Sequence, residues 1–153
     1  MKSLVIVQSY RHMNTEKIAR AVAEALGAET RRPQGIRPEA VRNFDLIGFG
    51  AGIAGGRHYK PLLDFAAELP DAAGQRAFIF STAGIAGERA TARNHKALRE
   101  ILLSKGYAAA GEFCCKGFNT NSVLKLFGGM NKGRPDGGDL DAAAAFARKL
   151  KDE

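Results

Sequence analysis

Residues Leu4–Thr15 read LVIVQSYRHMNT, which is a continuous apolar run, then a polar loop, then a residue that can begin a helix. A run of leucine, valine and isoleucine without polar interruption is typical of a strand buried on both faces of a parallel sheet. Ile18, Val22 and Leu26 follow at four-residue spacing and mark the buried face of a helix. The chain therefore opens as strand, loop and helix, the first half of a βαβ unit.

The same alternation continues along the chain. Further strands are predicted at Ala28–Arg32, Asp45–Gly50, Ala77–Phe80 and around Glu112–Cys115. Further helices are predicted over 59–68, around Leu98, Ile101 and Leu102, and around Leu140, Ala144 and Ala147. Strands alternating with helices indicate a parallel sheet covered on both faces. Residues 1–153 are thus predicted to form a single α/β domain with a doubly wound, five-stranded parallel sheet.

Composition and net charge limit the kinds of function and partner that the chain can have. Hydrophobic residues make up 45% and charged residues 25% of the 153 residues, as in ordinary globular domains. The first apolar run has four residues, so we expect a cytoplasmic protein without a membrane span. The net charge of +7 favours acidic or phosphorylated partners, or simply a solvated basic surface. Nucleic acid is not an expected partner, because no basic helix is interleaved with aromatic residues.

Ligands of doubly wound sheets bind beyond the carboxyl ends of the strands, near the point where the strand order reverses. The first loop at that end, Gln8–Thr15, carries Ser9, Asn14 and Thr15 as donors and Arg11 as a fixed positive charge. Donors at a helix N-terminus suit a phosphate group. The alternative is an ordinary N-cap supplied by Asn14 or Thr15, with the rest of the loop solvated.

A glycine-rich loop is predicted at Ala51–Arg57, after the third strand. Gly50–Gly55 matches GxGxxG, but no helix opens within the glycines, as a dinucleotide fingerprint requires. The absence of Cβ atoms instead suits a backbone that lies close to a flat ligand. The loops Ser81–Asn94 and Lys116–Asp139 lie at the same predicted end, and the glycine-rich segment Gly128–Asp139 is long enough to be functional.

Histidines and cysteines give no metal or thiol motif. His12, His58 and His95 lack both a helical spacing and accompanying carboxylates, so no metal site is predicted. Cys114 and Cys115 are adjacent, which excludes a disulfide framework. Neither cysteine is followed six residues later by the arginine of a low-molecular-weight phosphatase.

Taken together, six segments resemble the flavodoxin family, and within it short flavodoxin-like FMN proteins of bacteria and archaea. The segments are SYRHMNTEKIA at 9–19, DLIGFGAGIAGGRHYKPLLDF at 45–65, FIFSTAG at 78–84, HKALREILLSKGY at 95–107, GEFCCKGFNT at 111–120 and GGMNKGRPDGGDLDAAAAFA at 128–147. The resemblance covers nearly the whole chain. It implies noncovalent FMN, with the phosphate on the first loop and the flavin ring between the loops after the third and fourth strands.

The site residues that the resemblance implies fall in three groups. They are Ser9, Arg11, His12, Met13, Asn14 and Thr15; Ala51, Gly52, Ile53, Ala54 and Gly55; and Ser81, Thr82, Ala83 and Gly84. Met13 stands where typical flavodoxins have glycine, and Ala54 and Gly55 stand where relatives often carry an aromatic residue. The remaining candidates to stack on the flavin are Tyr10, His58, Tyr59 and Phe118.

The function implied is electron transfer by bound FMN, with no catalytic side chain required. Basic residues beside the ligand loops favour an acidic, ferredoxin-like redox partner; they are Arg57, Lys60, Arg89, Arg93, Lys132 and Arg134. Two alternatives stay open. One is an FMN-dependent quinone or NAD(P)H oxidoreductase, since Gly55–Lys60 is similar to a loop of quinone-dependent protoporphyrinogen oxidase. The other is a flavin-free module that binds a phosphorylated ligand.

Overall fold

Six strands form a single sheet in the computed structural model, which describes residues 1–9, 14–84, 87–116 and 134–153. The strands are β1 (Ser3–Gln8), β2 (Glu29–Arg31), β3 (Leu46–Ala54), β4 (Arg57–His58), β5 (Arg76–Ala83) and β6 (Ala108–Lys116). The α-helices of the described residues are α1 (Asn14–Leu26), α2 (Lys60–Ala67), α3 (Glu88–Ser104) and α4 (Gly137–Lys151). Short 3-10 helices span Pro33–Gly35 and Pro38–Asn43. Residues 128–133 of the Gly128–Asp139 segment lie outside the described residues.

The strand order is β2-β1-β3-β5-β6, and all neighbours in this row are parallel. The chain turns outward from β1 to β2 and then resumes on the other side of β1 with β3. This reversal is the switch point of a doubly wound sheet. The predicted five-stranded parallel sheet is confirmed.

The segment expected to be a glycine-rich loop is instead a β-hairpin, so that prediction was wrong. β3 continues to Ala54 and pairs antiparallel with β4, with Ala54 opposite Arg57. Gly55 and Gly56 form the two-residue connection with φ angles of 63° and 79°. Positive φ at both central residues is what a tight hairpin turn demands, and glycine adopts it without a steric penalty.

Helices cover both faces of the sheet. α2 and α3 pack on the face that includes Ile47 and Phe49, and α1 and α4 pack on the opposite face with Val5 and Val7. The predicted face of α1 is confirmed, because Ile18, Val22 and Leu26 are all buried. Within the described ranges, no helix has the length and apolar character needed to cross a membrane.

The buried face of α4 differs from the prediction. Ala147 is buried as expected, but its buried neighbours are Ala143 and Leu150, whereas Leu140 and Ala144 are only half-buried. At the start of the helix, Asp139 exchanges hydrogen bonds with Asp136 in a capping box. Leu140 packs against the core from a half-buried position.

Glycines of β3 and phenylalanines of β5 interlock in the middle of the sheet. Gly48 is paired with Phe78, and Gly50 with Phe80. A Cβ atom at Gly48 would lie 2.2 Å from the ring of Phe78, and one at Gly50 would lie 2.1 Å from the ring of Phe80. Each ring therefore occupies the space that a side chain on the neighbouring strand would need.

We expect Gly50→Ala to lower the free energy of unfolding by ~1–3 kcal/mol, the usual cost of forcing extra volume into a packed core. Chemical denaturation measures the change. Gly35→Ala is the control, because a Cβ atom there meets nothing within 4 Å. Adding Phe80→Leu to Gly50→Ala should recover part of the loss. Equal stability of the Gly50 and Gly35 variants would contradict the interlocking role.

Candidate functional site

The carboxyl ends of β1, β3 and β5 lie side by side. Gln8 is paired with Ala51, and Gly52 is paired with Thr82, so the ends of β1 and β5 lie level with the Ala51–Gly52 part of β3, which runs on into the hairpin. The structure thus brings the end of β1, the start of α1, the hairpin and the end of β5 to one edge, at the switch point. Arg11, His12 and Met13 of the predicted site, and Tyr10 and Phe118 among the stacking candidates, lie outside the described residues.

The described residues of the first loop have distinct surroundings. The Ser9 Oγ is buried and has no hydrogen-bond partner within the described residues. Asn14 begins α1. Thr15 is 1% exposed, and its Oγ1 lies 2.8 Å from the Oγ1 of Thr82. The Thr15 hydroxyl therefore ties the start of α1 to the end of β5.

The hairpin offers backbone and small side chains at its tip. Ala51 and Gly52 are buried, Ile53 is half-buried, and Ala54 and Gly55 are exposed. A Cβ atom at Gly52 would lie 2.5 Å from the hydroxyl oxygen of Tyr59. Glycine at position 52 is therefore needed for Tyr59 to fold back over the strand.

Ser81 belongs to a buried polar network. Its Oγ lies 2.6 Å from His95 Nε2, and His95 Nδ1 lies 2.8 Å from Glu112 Oε1. Arg99 donates to both carboxylate oxygens of Glu112, at 2.6 and 2.7 Å. A carboxylate only accepts, so His95 Nδ1 donates to Glu112 and His95 Nε2 accepts from the Ser81 hydroxyl.

Ser81, His95 and Glu112 are connected in the order of a catalytic Ser-His-Glu triad, but a substrate could not reach the serine hydroxyl. Ser81 and His95 are both 0% exposed, so the Ser81 hydroxyl does not meet solvent. Burial lowers the pKa of His95, against the raising effect of the Glu112 bond. Burial raises the pKa of Glu112, but hydrogen bonds from Arg99 and His95 outweigh it and hold that pKa below its ordinary value. The network thus fixes the end of β5 from the α3 side.

His58 packs against this network. Its Nε2 donates to the carbonyl oxygen of Phe80 at 3.1 Å, and its ring centroid lies 4.9 Å from that of His95. Its Nδ1 is buried and has no hydrogen-bond partner within the described ranges. Burial, together with the nearby His95, lowers the pKa of His58 to about 3. His58 is therefore neutral and faces inward.

Sequence reasoning missed this histidine pair. The available signal was positional, since His58 follows the Gly-Gly turn and alternation points it toward the interior. The described ranges contain no group of three His, Cys, Asp or Glu side chains that could hold a metal ion.

Several basic side chains were predicted to lie beside this edge of the sheet. Arg57, Arg89 and Arg93 are exposed and have no ion pair within the described part of the chain. Lys60 pairs with Asp64 at 2.7 Å, and Arg134 binds Asp139 through two nitrogens. Lys132 lies outside the described residues.

Of the two cysteines on β6, Cys114 is half-buried and Cys115 is buried. Burial, reinforced by Asp139, raises the pKa of Cys115 to about 12.

Known structures share this arrangement of sheet, helices and switch point. Flavodoxin 2 from Bacillus cereus superposes with a TM-score of 0.75 at 20% identity and 99% coverage of each chain. A flavodoxin from Streptococcus pneumoniae TIGR4 gives 0.72 at 16% identity and 98% coverage of each chain. The fold is that of the flavodoxins.

The sequence itself matches no family model. It is 43% identical over 150 residues to uncharacterized protein MJ0298 of Methanocaldococcus jannaschii, covering 98% of each chain. This chain belongs to the family of that archaeal protein, a family with the flavodoxin fold.

We expect the free energy of unfolding to fall as pH is lowered from about 6.5 toward 3. Unfolded histidine takes up a proton near pH 6.5, whereas folded His58 does so only near its pKa of about 3. The unfolded state therefore binds more protons in this window, and acid favours it. Urea denaturation at several pH values should show a shallower pH dependence for His58→Gln, which retains a donor for the Phe80 carbonyl. Identical slopes would contradict the buried, neutral state of His58.

Proposed function

We propose that the protein binds FMN at the carboxyl edge of the sheet and works as a flavodoxin-like electron carrier. The observation that supports this most directly is the buried Ser9 Oγ, which lacks a partner within the described residues at the position where the α1 N-terminus meets β1. A buried hydroxyl without a partner is costly, and a bound phosphate oxygen would satisfy it.

The first loop would hold the phosphate. Ser9 contributes its hydroxyl as a donor, and the N-terminus of α1 contributes backbone N–H groups and the positive end of the helix dipole. Arg11, His12, Met13 and Asn14 are proposed to complete this loop. Thr15 acts differently: its hydroxyl is bonded to Thr82, so it fixes the helix start beside β5.

The hairpin and the end of β5 would hold the flavin ring. Ala51, Gly52, Ile53, Ala54 and Gly55 are proposed on one side, and Thr82, Ala83 and Gly84 on the other. Small residues allow the backbone to approach a planar ring closely, and its amide groups can then donate to it. Ser81 would support this side of the site by fixing the end of β5, since its side chain is hydrogen-bonded to His95 and does not face the ring. Bound FMN would supply the electron storage, and the chain would position it and limit solvent access.

The partner is proposed to be an acidic protein of the ferredoxin kind. Arg57 lies on β4, and Arg89 and Arg93 lie in the first turns of α3, near the edge that would hold the flavin. All three are exposed and unneutralised by ion pairs within the described ranges. Exposed charges of one sign steer an oppositely charged protein to the site.

We expect Ser9→Ala to weaken FMN binding by ~1–2 kcal/mol, the scale of a lost hydrogen bond to a charged group. Quenching of FMN fluorescence on titration measures the affinity. Ser104→Ala is the matched control, because the Ser104 hydroxyl is bonded to the carbonyl of Ile101 at the far end of α3. If the unaltered protein did not quench FMN fluorescence at all, the proposed function would be wrong.

We expect Arg89→Gln combined with Arg93→Gln to slow electron transfer to an acidic ferredoxin. The rate should also fall steeply with salt in the unaltered protein, since screening weakens steering beyond ~10 Å at 0.1 M salt. Stopped-flow mixing of the reduced, FMN-loaded protein with ferredoxin gives the rate. Arg148→Gln changes the charge by one unit on α4 and serves as the control. A salt-independent rate would contradict the acidic partner, and quinone reduction without any partner would favour an oxidoreductase instead.

A further inference from the structure

The two edges of the sheet differ in their protection against pairing with another strand. At one edge, β2 has three residues, Glu29, Thr30 and Arg31, and all of them are exposed. Short and charged edge strands resist pairing. At the other edge, β6 has nine residues, and its outer side pairs with no strand of the described residues. An edge of this length is open to a further strand unless a local feature protects it.

A bulge protects the first half of β6 only. The register shifts between Ala77 and Phe78 of β5, so that Ala110 is an extra residue in the ladder. Bulges bend a strand and discourage pairing at an edge. From Gly111 to Lys116 the register with β5 is regular. The second half of β6 is therefore the unprotected part of this edge.

This unprotected half carries opposite charges on either side of its middle residue. It reads Glu112-Phe113-Cys114-Cys115-Lys116. When two copies of the strand are aligned antiparallel about Cys114, Glu112 of each copy lies directly opposite the partner's Lys116. No other centre of symmetry brings these two residues opposite each other, because their positions average to 114. Directly opposed charges of opposite sign stabilise a pair of strands.

Glu112 retains the capacity for this contact. Its Oε1 accepts from His95 and Arg99, and its Oε2 accepts from Arg99. A carboxylate has about four acceptor sites, so one site on Oε2 is left for a further donor. The Glu112 side chain is 27% exposed, and Lys116 is exposed. The partner's Lys116 could therefore donate to Glu112 without displacing a bond of the buried network.

Apolar groups surround the same centre of symmetry. Cys114 is half-buried and would face the partner's Cys114. On the other face of the strand, the half-buried ring of Phe113 packs on Phe146 of α4, with ring centroids 5.5 Å apart. Phe113 and the partner's Phe113 would be diagonal neighbours ~7–8 Å apart, which aromatic side chains can span. Pairing would thus bury apolar surface on both faces of the new ladder.

We propose that β6 is a self-association surface, through which two copies of this chain pair antiparallel over Glu112–Lys116. The two sheets would then join into one continuous sheet with a two-fold axis at Cys114. Because the paired strands run in opposite directions, the carboxyl edges of the two sheets point in opposite directions. The pairing involves neither the hairpin nor the start of α1, so it does not depend on FMN.

Sedimentation velocity over a range of protein concentrations, in the absence of FMN, tests the association. We expect the unaltered chain to pass from monomer to dimer as its concentration rises. Lys116→Glu turns two attractive pairs into two repulsive ones and should raise the dissociation constant about tenfold or more. Lys17→Glu makes the same change of charge at an exposed position on α1 and serves as the control. It should leave the dissociation constant unchanged.

Crosslinking tests the register. Directly opposed residues of antiparallel strands have Cα atoms about 4.5–5.5 Å apart, a separation that a disulfide spans. With copper(II)–phenanthroline as catalyst, two Cys114 thiols should pass two electrons and two protons to dioxygen and form a covalent dimer. Cys114→Ser should abolish this product. Ser104→Cys in the Cys114→Ser background places an exposed thiol at the end of α3 and should crosslink far more slowly.

Four outcomes would overturn the proposal. They are a monomer at every concentration, equal effects of Lys116→Glu and Lys17→Glu, a dimer that does not crosslink through Cys114, and equally fast crosslinking in the Ser104→Cys control. A partner strand from another protein would correspond to the first of these outcomes. All measurements are made without flavin, so a failure to bind FMN would defeat the proposed function and leave this test valid.

Discussion

The rings of Phe78 and Phe80 fill the space that side chains at Gly48 and Gly50 would need. The rest of the structure depends on this packing of β5 rings over β3 glycines. β3 lies between β1 and β5 in the sheet, so it fixes the spacing of both neighbours. Because the β5 side chains fill the volume, β3 keeps continuous backbone pairing despite three glycines in alternate positions. The register set here carries through to Gln8 with Ala51 and Gly52 with Thr82, which brings the three candidate loops level.

Two polar connections then fix that edge from opposite faces. On the α1 face, Thr15 and Thr82 join a helix start to a strand end. On the α3 face, Arg99, Glu112, His95 and Ser81 form a continuous chain of hydrogen bonds, and His58 packs against it from the hairpin. Buried networks of this kind stabilise a structure only when their members are satisfied. The edge is thus held by specific bonds, while its tip at Ala54 and Gly55 is exposed.

The sequence was most informative where structure is local. The apolar run Leu4–Val7 and the spacing of Ile18, Val22 and Leu26 each report one element, and both predictions were confirmed. The hairpin was missed because Arg57 and His58 do not read as a strand, although Gly55-Gly56 was a usable turn signal. The contact of His58 with His95 depends on how α3 and the hairpin come together on the sheet, which the spacing of residues along the chain does not reveal. The roles of Arg11, His12 and Met13 remain predictions.

The two adjacent cysteines of β6 have opposite surroundings, and this has a practical consequence. The thiolate is the reactive form of cysteine, and a pKa of about 12 leaves Cys115 almost entirely protonated at neutral pH. Cys114 is half-buried and lines an open groove of about 490 Å³ beside α3. A maleimide dye or spin label would therefore attach at Cys114 alone, without removal of its neighbour. The unaltered chain thus carries a single reporter position on β6, from which distances to other parts of the molecule can be followed.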